Sequence, residues 1–204
     1  MQNLKTDFNK FMLERLGGAP SAPKLLLHSC CAPCSSHCLS VLAPLADVTV
    51  FYFNPNIYPQ KEYEKRKSEQ IRLINQAFPG VLFLDCDYDH SLFLAAAKGL
   101  EGEREGGARC AECFKLRLTA TAKAAKAGGF DMFATTLTVS PHKNAPLINA
   151  IGSEAGALEG VEFLPSDFKK KDGYLHSIAL SREFSLYRQN YCGCEFSLGN
   201  DNNR

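Results

Sequence analysis

The chain has almost no net charge, with 23 Lys and Arg against 22 Asp and Glu. That excludes a global basic field, so any contact with nucleic acid has to come from local patches. No apolar run approaches the ~20 residues that span a bilayer, so no membrane association is expected. The opening text, MQNLKTDFNKFMLERLGG, carries charge throughout and lacks the apolar stretch of a signal peptide or the pattern of a transit peptide. A cytoplasmic location is the expectation. Neither G-x-G-x-x-G nor G-x-x-x-x-G-K-[ST] occurs, which leaves a dinucleotide or nucleoside triphosphate cofactor without motif support. Internal repeats and low-complexity tracts are missing too.

What is plentiful is cysteine: nine, in a chain of 204 residues that is long enough for one domain with a full core. An odd count in a reducing compartment fits a disulfide framework poorly, and metal binding or thiol chemistry becomes the stronger reading. Lys24 to His28, Val48 to Phe53, Val81 to Leu84 and Met132 to Thr136 read as strands buried on both faces. Helical text lies between them at about 34–43, 60–77, 90–98 and 111–127, and a further helix begins near Asn144. The alternation predicts a single α/β domain, a mainly parallel sheet with helices on both faces. Residues 1–22 are expected to form a helical extension, 165–197 a basic and aromatic helical segment, and the polar tail DNNR to fray.

Setting aside Cys38 and Cys86, read as ordinary buried residues, seven cysteines form three clusters: Cys30-Cys31-x-x-Cys34, Cys110-x-x-Cys113 and Cys192-x-Cys194. The first lies between a strand and a helix, at the carboxyl edge where open α/β sheets place their sites. A tetrahedral zinc would use four of the seven, and a C-x-x-C redox pair only two. Four thiolates also suit a cubane iron-sulfur cluster, and the remaining three could hold a mononuclear metal with an open position. A zinc-stabilised RNA-binding module and a thiol-disulfide oxidoreductase therefore stay open at this point.

Other residues are less specific. His28 reads as hydrogen-bonded scaffold and His37 as solvent-facing. Asn54 and Asn56, in the loop FNPNIYPQ, either read a ligand or hold the loop as Asx turns. Glu62 and Arg66 read as a helix-face ion pair. TTLTVSPHKN, residues 135–144, offers hydroxyls, His142 and Lys143 ahead of a helix. Between 161 and 191, Lys169, Lys170, Lys171, Arg182 and Arg188 interleave with Phe168, Tyr174, Phe184, Tyr187 and Tyr191, a mixture that suits single-stranded or loop RNA.

At LLLHSCCAPCS, NPNIYP, CAEC, TTLTVSP and above all FKKKDGY…SREFSLYRQNYCGC, the sequence resembles the QueH family of epoxyqueuosine reductases, from about Lys24 to Ser197. These are tRNA-modifying enzymes without cobalamin. The resemblance implies an HUP-like or Rossmann-like domain with metals at the carboxyl edge, carrying a [4Fe-4S] cluster and a mononuclear iron. The implied activity is two-electron deoxygenation of epoxyqueuosine to queuosine at the tRNA wobble position. Cys30, Cys31, Cys34, Cys110, Cys113, Cys192 and Cys194 match the family's ligand motifs. Neighbouring Cys30 and Cys31 are expected to serve different centres, with Cys31, Cys110, Cys113 and Cys192 at the cluster. Cys34, which can be aspartate in relatives, is assigned with Cys30 and Tyr191 to the catalytic side. Asn54, Asn56, Ser140, Arg182, Arg188 and Gln189 are expected to touch substrate. The implied partners are a tRNA anticodon loop and an external electron donor such as a ferredoxin or flavodoxin.

Overall fold

The computed structural model describes residues 6–198. The DNNR tail lies outside the described residues. Five strands, β1 (Lys24–His28), β2 (Asp47–Phe51), β3 (Leu82–Leu84), β4 (Met132–Thr135) and β5 (Glu162–Phe163), pair in parallel in the order β3-β2-β1-β4-β5. Seven α-helices connect and flank them: α1 (Phe8–Gly17), α2 (Ala32–Leu42), α3 (Gln60–Ala77), α4 (His90–Ala97), α5 (Ala108–Ala127), α6 (Ala145–Glu159) and α7 (Gly173–Glu183).

The continuous apolar text of the strands follows from burial on two sides. Leu25 and Leu27 of β1 join a core with Met12 and Leu16 of α1, Leu39 and Leu42 of α2 and Ile74 of α3. Leu26, between them, points the other way, against Ala122 and Ala125 of α5 and Ala155 of α6. Gly152 lets α6 approach the second face closely, since a Cβ there would clash with the Phe163 ring at its Cζ. The sheet winds outward from β1 through β2 to β3, then crosses to β4 and β5. The switch in direction falls between β1 and β4, and the crevice beyond their carboxyl ends is where such sheets receive ligands.

Two sequence expectations need correction. β5 was not foreseen because two residues are too few to show a period. The segment 165–197 is helical only in α7 and in a short 3₁₀ turn, Glu195–Ser197. After α7 the backbone leaves the helix and is tied to α3 and the loop before it: Arg72 Nη2 donates to the carbonyls of Phe184 and Ser185, Tyr187 N to Glu69 Oε1, and Gly193 O accepts from Tyr58 N. These contacts hold the segment in an irregular path of turns and bends. No helix of the described residues is long and apolar enough to cross a membrane.

His37 is a third correction. It does not face solvent but lies buried on α2, its Nδ1 3.0 Å from Nδ1 of His176 on α7, with Phe168 edge-on beside it. A hydrogen bond between these two nitrogens requires one of them to accept, so one ring must be neutral. Burial, with His176 adding to it, holds the His37 pKa down to about 4. In the unfolded chain the ring charges near 6.5, so the neutral folded form contributes stability above about pH 6.5 that is lost as pH falls towards about 4. Urea midpoints measured across that window are expected to drop with pH, and His37→Gln should flatten the slope.

Candidate metal centres

At the end of β1 the chain leaves the sheet and enters α2 within three residues. Ser29 anchors the turn: its amide donates to Phe51 O, its hydroxyl to Gln70 Oε1, and its carbonyl accepts from Asn54 Nδ2. Cys31 is the helix N-cap in extended conformation, and Pro33 occupies the first turn, where a missing N–H costs nothing. The turn brings the sulfurs of Cys30, Cys31 and Cys34 within 4.8 Å of one another. Cys30 and Cys31 are 3.8 Å apart.

The geometry therefore differs from the expected split of Cys30 and Cys31 between two centres. Successive side chains alternate across a continuing strand, but β1 has ended at His28, which frees both sulfurs to lie on one side. Thr136, after β4, receives the Cys30 amide and approaches its sulfur at 3.5 Å, while Gln189 Nε2 donates to Cys31 Sγ at 3.1 Å. Hydrogen bonds from Cys31 and Cys34 hold the Cys30 thiol well below its ordinary range. The Cys31 thiol is pushed up to about 11 and that of Cys34 also rises, each chiefly by sharing protons with Cys30. Three sulfurs this close together are a donor set that could hold a soft metal ion.

The other four thiols surround a second cavity. Cys110 and Cys113 lie in the first turns of α5; Cys192 and Cys194 come from the C-terminal loop. Gly193 between the latter two has φ +124, a conformation L side chains rarely adopt, and an added Cβ would stand 3.0 Å from Arg66 Nη1. Gly106 N donates to Cys110 Sγ at 3.2 Å. Burial raises the Cys110 and Cys194 thiols and pushes Cys113 up to about 11. Glu105 also lines the second cavity and the adjoining cleft, but sulfur predominates in both, and sulfur-dominated donors fit iron-sulfur or other soft-metal chemistry better than calcium or magnesium.

Both sets open on one cleft of about 360 Å³ at the carboxyl edge of the sheet. Of the residues expected from sequence, Cys30, Cys34, Cys192, Tyr191, Ser140, Arg188 and Gln189 line it. Asn54 does not: it is 1% exposed, and its amide is spent on Ser29 O and on Arg117. Asn56 lines the second cavity, and Arg182 is exposed at the end of α7, outside the cleft lining. The Tyr191 hydroxyl donates to Tyr58 O at 2.6 Å, leaving its ring as the wall that covers Arg66. His28 is scaffold as expected, its Nδ1 paired with Thr135 Oγ1 and burial lowering its pKa to about 3. Cys38 is core, and Cys86 donates to Tyr52 O.

Two arginines were missed. Arg66, read as a surface pair with Glu62, is 2% exposed, keeps that ion pair at 2.7 Å and reaches Cys192 O. Arg117, equally buried, stands between the two sulfur sets. Its i, i+4 spacing from Cys113 was the available signal. Lys143 lines the cleft beside them. Burial opposes its charge, but Cys192, Cys30 and Cys34 hold its pKa above the usual lysine value.

The family model described as "Epoxyqueuosine reductase QueH" matches residues 25–200. The epoxyqueuosine reductase QueH of Staphylococcus epidermidis is 41% identical over 209 residues, covering 97% of this chain and 87% of that protein. The Streptococcus pyogenes protein of the same name is 44% identical over 179 residues, 86% of this chain and 70% of its own. That of Thermotoga maritima is 37% identical over 175 residues, 85% and 90% respectively. Among solved structures, the U34-tRNA thiolase NcsA from Methanococcus maripaludis with its [4Fe-4S] cluster superposes with a TM-score of 0.57 at 12% identity, covering 93% of this chain and 67% of that one, a likeness of fold alone. With the sequence matched over most of its length and the seven thiols gathered at one sheet edge, this chain belongs to the QueH family of epoxyqueuosine reductases, which are oxidoreductases.

Proposed function

We propose that this chain deoxygenates epoxyqueuosine at the wobble position of tRNA, taking up two electrons and two protons and releasing the cyclopentene and water. The observation that carries the reading is the arrangement of three and four thiols around one cleft at the switch point of the sheet. Cys110, Cys113, Cys192 and Cys194 would hold the [4Fe-4S] cluster, and Cys30, Cys31 and Cys34 the mononuclear iron. When bound, these groups supply single electrons and a Lewis acid for the epoxide oxygen.

The remaining work falls to the chain's own residues. The Lys143 ammonium and the Arg66 and Arg188 guanidiniums line the cleft and offer positive charge to substrate oxygens. Gln189 tethers Cys31 and so fixes the floor against which the substrate base lies. Tyr191 keeps its ring in place through Tyr58 and acts as a positioning group. Lys170, Lys171 and Arg182, exposed on and before α7, would neutralise anticodon-loop phosphates, while Tyr174 and Ser177 of the same helix reach into the cleft. Electrons would come from a low-potential carrier of the ferredoxin or flavodoxin class, and the site of action would be the cytoplasm.

The test is made on anaerobically purified protein. A brown absorbance, iron exceeding inorganic sulfide by one per chain, and loss of one oxygen from epoxyqueuosine-tRNA by mass spectrometry are expected. A colourless zinc protein, or a loaded protein that leaves the modified tRNA unchanged, overturns the reading.

A further inference from the structure

Arg117 carries a charge that its hydrogen-bond partners do not neutralise. It is 2% exposed and lines both the cleft and the second cavity. Its Nε donates to His28 Nε2 at 3.2 Å, its Nη2 to Asn54 Oδ1 at 2.7 Å, and its Nη1 approaches Cys113 Sγ at 3.9 Å. The acceptors are a ring nitrogen, an amide oxygen and a sulfur, none of them a carboxylate.

A guanidinium does not deprotonate in a protein, and a buried cation without an anion is strongly destabilising. Hydrogen bonds donated to Asn54 and His28 fix its direction but bring no charge. The groups that most favour its charge are sulfurs, those of Cys113, Cys30 and Cys192, at least one from each set, while the half-buried Glu105 carboxylate also lines both cavities. His28 is itself locked by Thr135 and Asn54 by the Ser29 carbonyl, the residue just before Cys30. The guanidinium is thus held rigidly from the β1 side while it faces α5 and the C-terminal cysteines.

We propose that Arg117 is the fixed counter-cation of both thiolate centres, a positioning residue that offsets their negative charge and the further negative charge added by one-electron reduction. The inference rests on the thiolate metal sites of the proposed function, and its test separates the two. Apo-protein is titrated with Co²⁺ and followed by its thiolate-to-cobalt absorbance, which needs neither cluster nor activity; in parallel the midpoint potential of reconstituted protein is measured.

Arg117→Gln, folded by circular dichroism, is expected to bind Co²⁺ at least about tenfold more weakly, as loss of an outer-shell partner commonly does. Its midpoint potential should move negative. Arg117→Lys keeps the charge and should recover the potential, which a purely structural role would not predict. Should the glutamine variant not fold, Asn54→Asp gives the guanidinium the carboxylate it lacks and should shift the potential in the same negative direction with Arg117 still present. Wild-type Co²⁺ affinity and potential in either folded variant, Arg117→Gln or Asn54→Asp, overturn the proposal. Weakened Co²⁺ binding in a variant, with a wild-type protein that never deoxygenates its tRNA, upholds it while the functional reading fails.

Discussion

Cys110→Ala is expected to leave a folded, colourless protein that no longer deoxygenates epoxyqueuosine-tRNA. The side chain is half-buried at the start of α5, packed near Phe114, Leu118 and Leu137, so removing one sulfur should cost the apo-protein only about 1 kcal/mol. A cubane held by three thiolates is another matter. Loss of a ligand is expected to lower cluster retention by more than about 100-fold, the upper end of what losing an outer-shell partner costs. Visible absorbance, sulfide content and oxygen loss from the tRNA should all fail together. A brown, active Cys110→Ala protein would sink the assignment of the four-thiol set.

Cys34→Ala should separate the centres that Cys110→Ala cannot. Cys34 lines the cleft and completes the trio whose sulfurs lie within 4.8 Å, but it takes no part in the second cavity. The variant is expected to stay brown with unchanged sulfide, to lose the iron in excess of that sulfide, and to lose deoxygenation. The contrast tests the division directly. If Cys34→Ala bleaches the protein instead, the cluster draws on the first motif and the two sulfur sets are not independent sites. Cys31→Ala is the sharper companion: the sequence expectation puts Cys31 at the cluster, whereas its position 3.8 Å from Cys30 puts it with the trio.

These two experiments mark where sequence reasoning stopped. Strands such as Leu25 to Leu27 were legible because burial on both faces leaves a continuous apolar run, and α5 because Phe114, Leu118, Ala122 and Ala125 recur at helical spacing and Gly128 follows. The α6 start was legible because Asn144 caps it, accepting from Leu147 N. β5 and the irregular path after Phe184 were not, since both depend on partners distant in the chain: the β4 edge for Glu162 and Phe163, and Arg72 and Glu69 for the segment that carries Tyr187. Arg66 shows the same limit from another side. Its i, i+4 spacing from Glu62 reveals the ion pair but not that Tyr191 and Cys192, more than a hundred residues on, close over it.

By itself the sequence determined the chemistry available: seven clustered thiols, their order along an alternating α/β chain, and the family motifs around them. Ligand identity is a local property, written in residue types and short spacings. How the thiols divide was decided by tertiary structure. The end of β1 folds Cys30 and Cys31 to one side, and the return of the C-terminal loop brings Cys192 and Cys194 beside Cys110 and Cys113. Charge balance belongs to the same level. Arg117 on α5 becomes the neighbour of Cys30 only because β1 and β4 place the switch point of the sheet beneath it, a proximity that no spacing along the chain encodes.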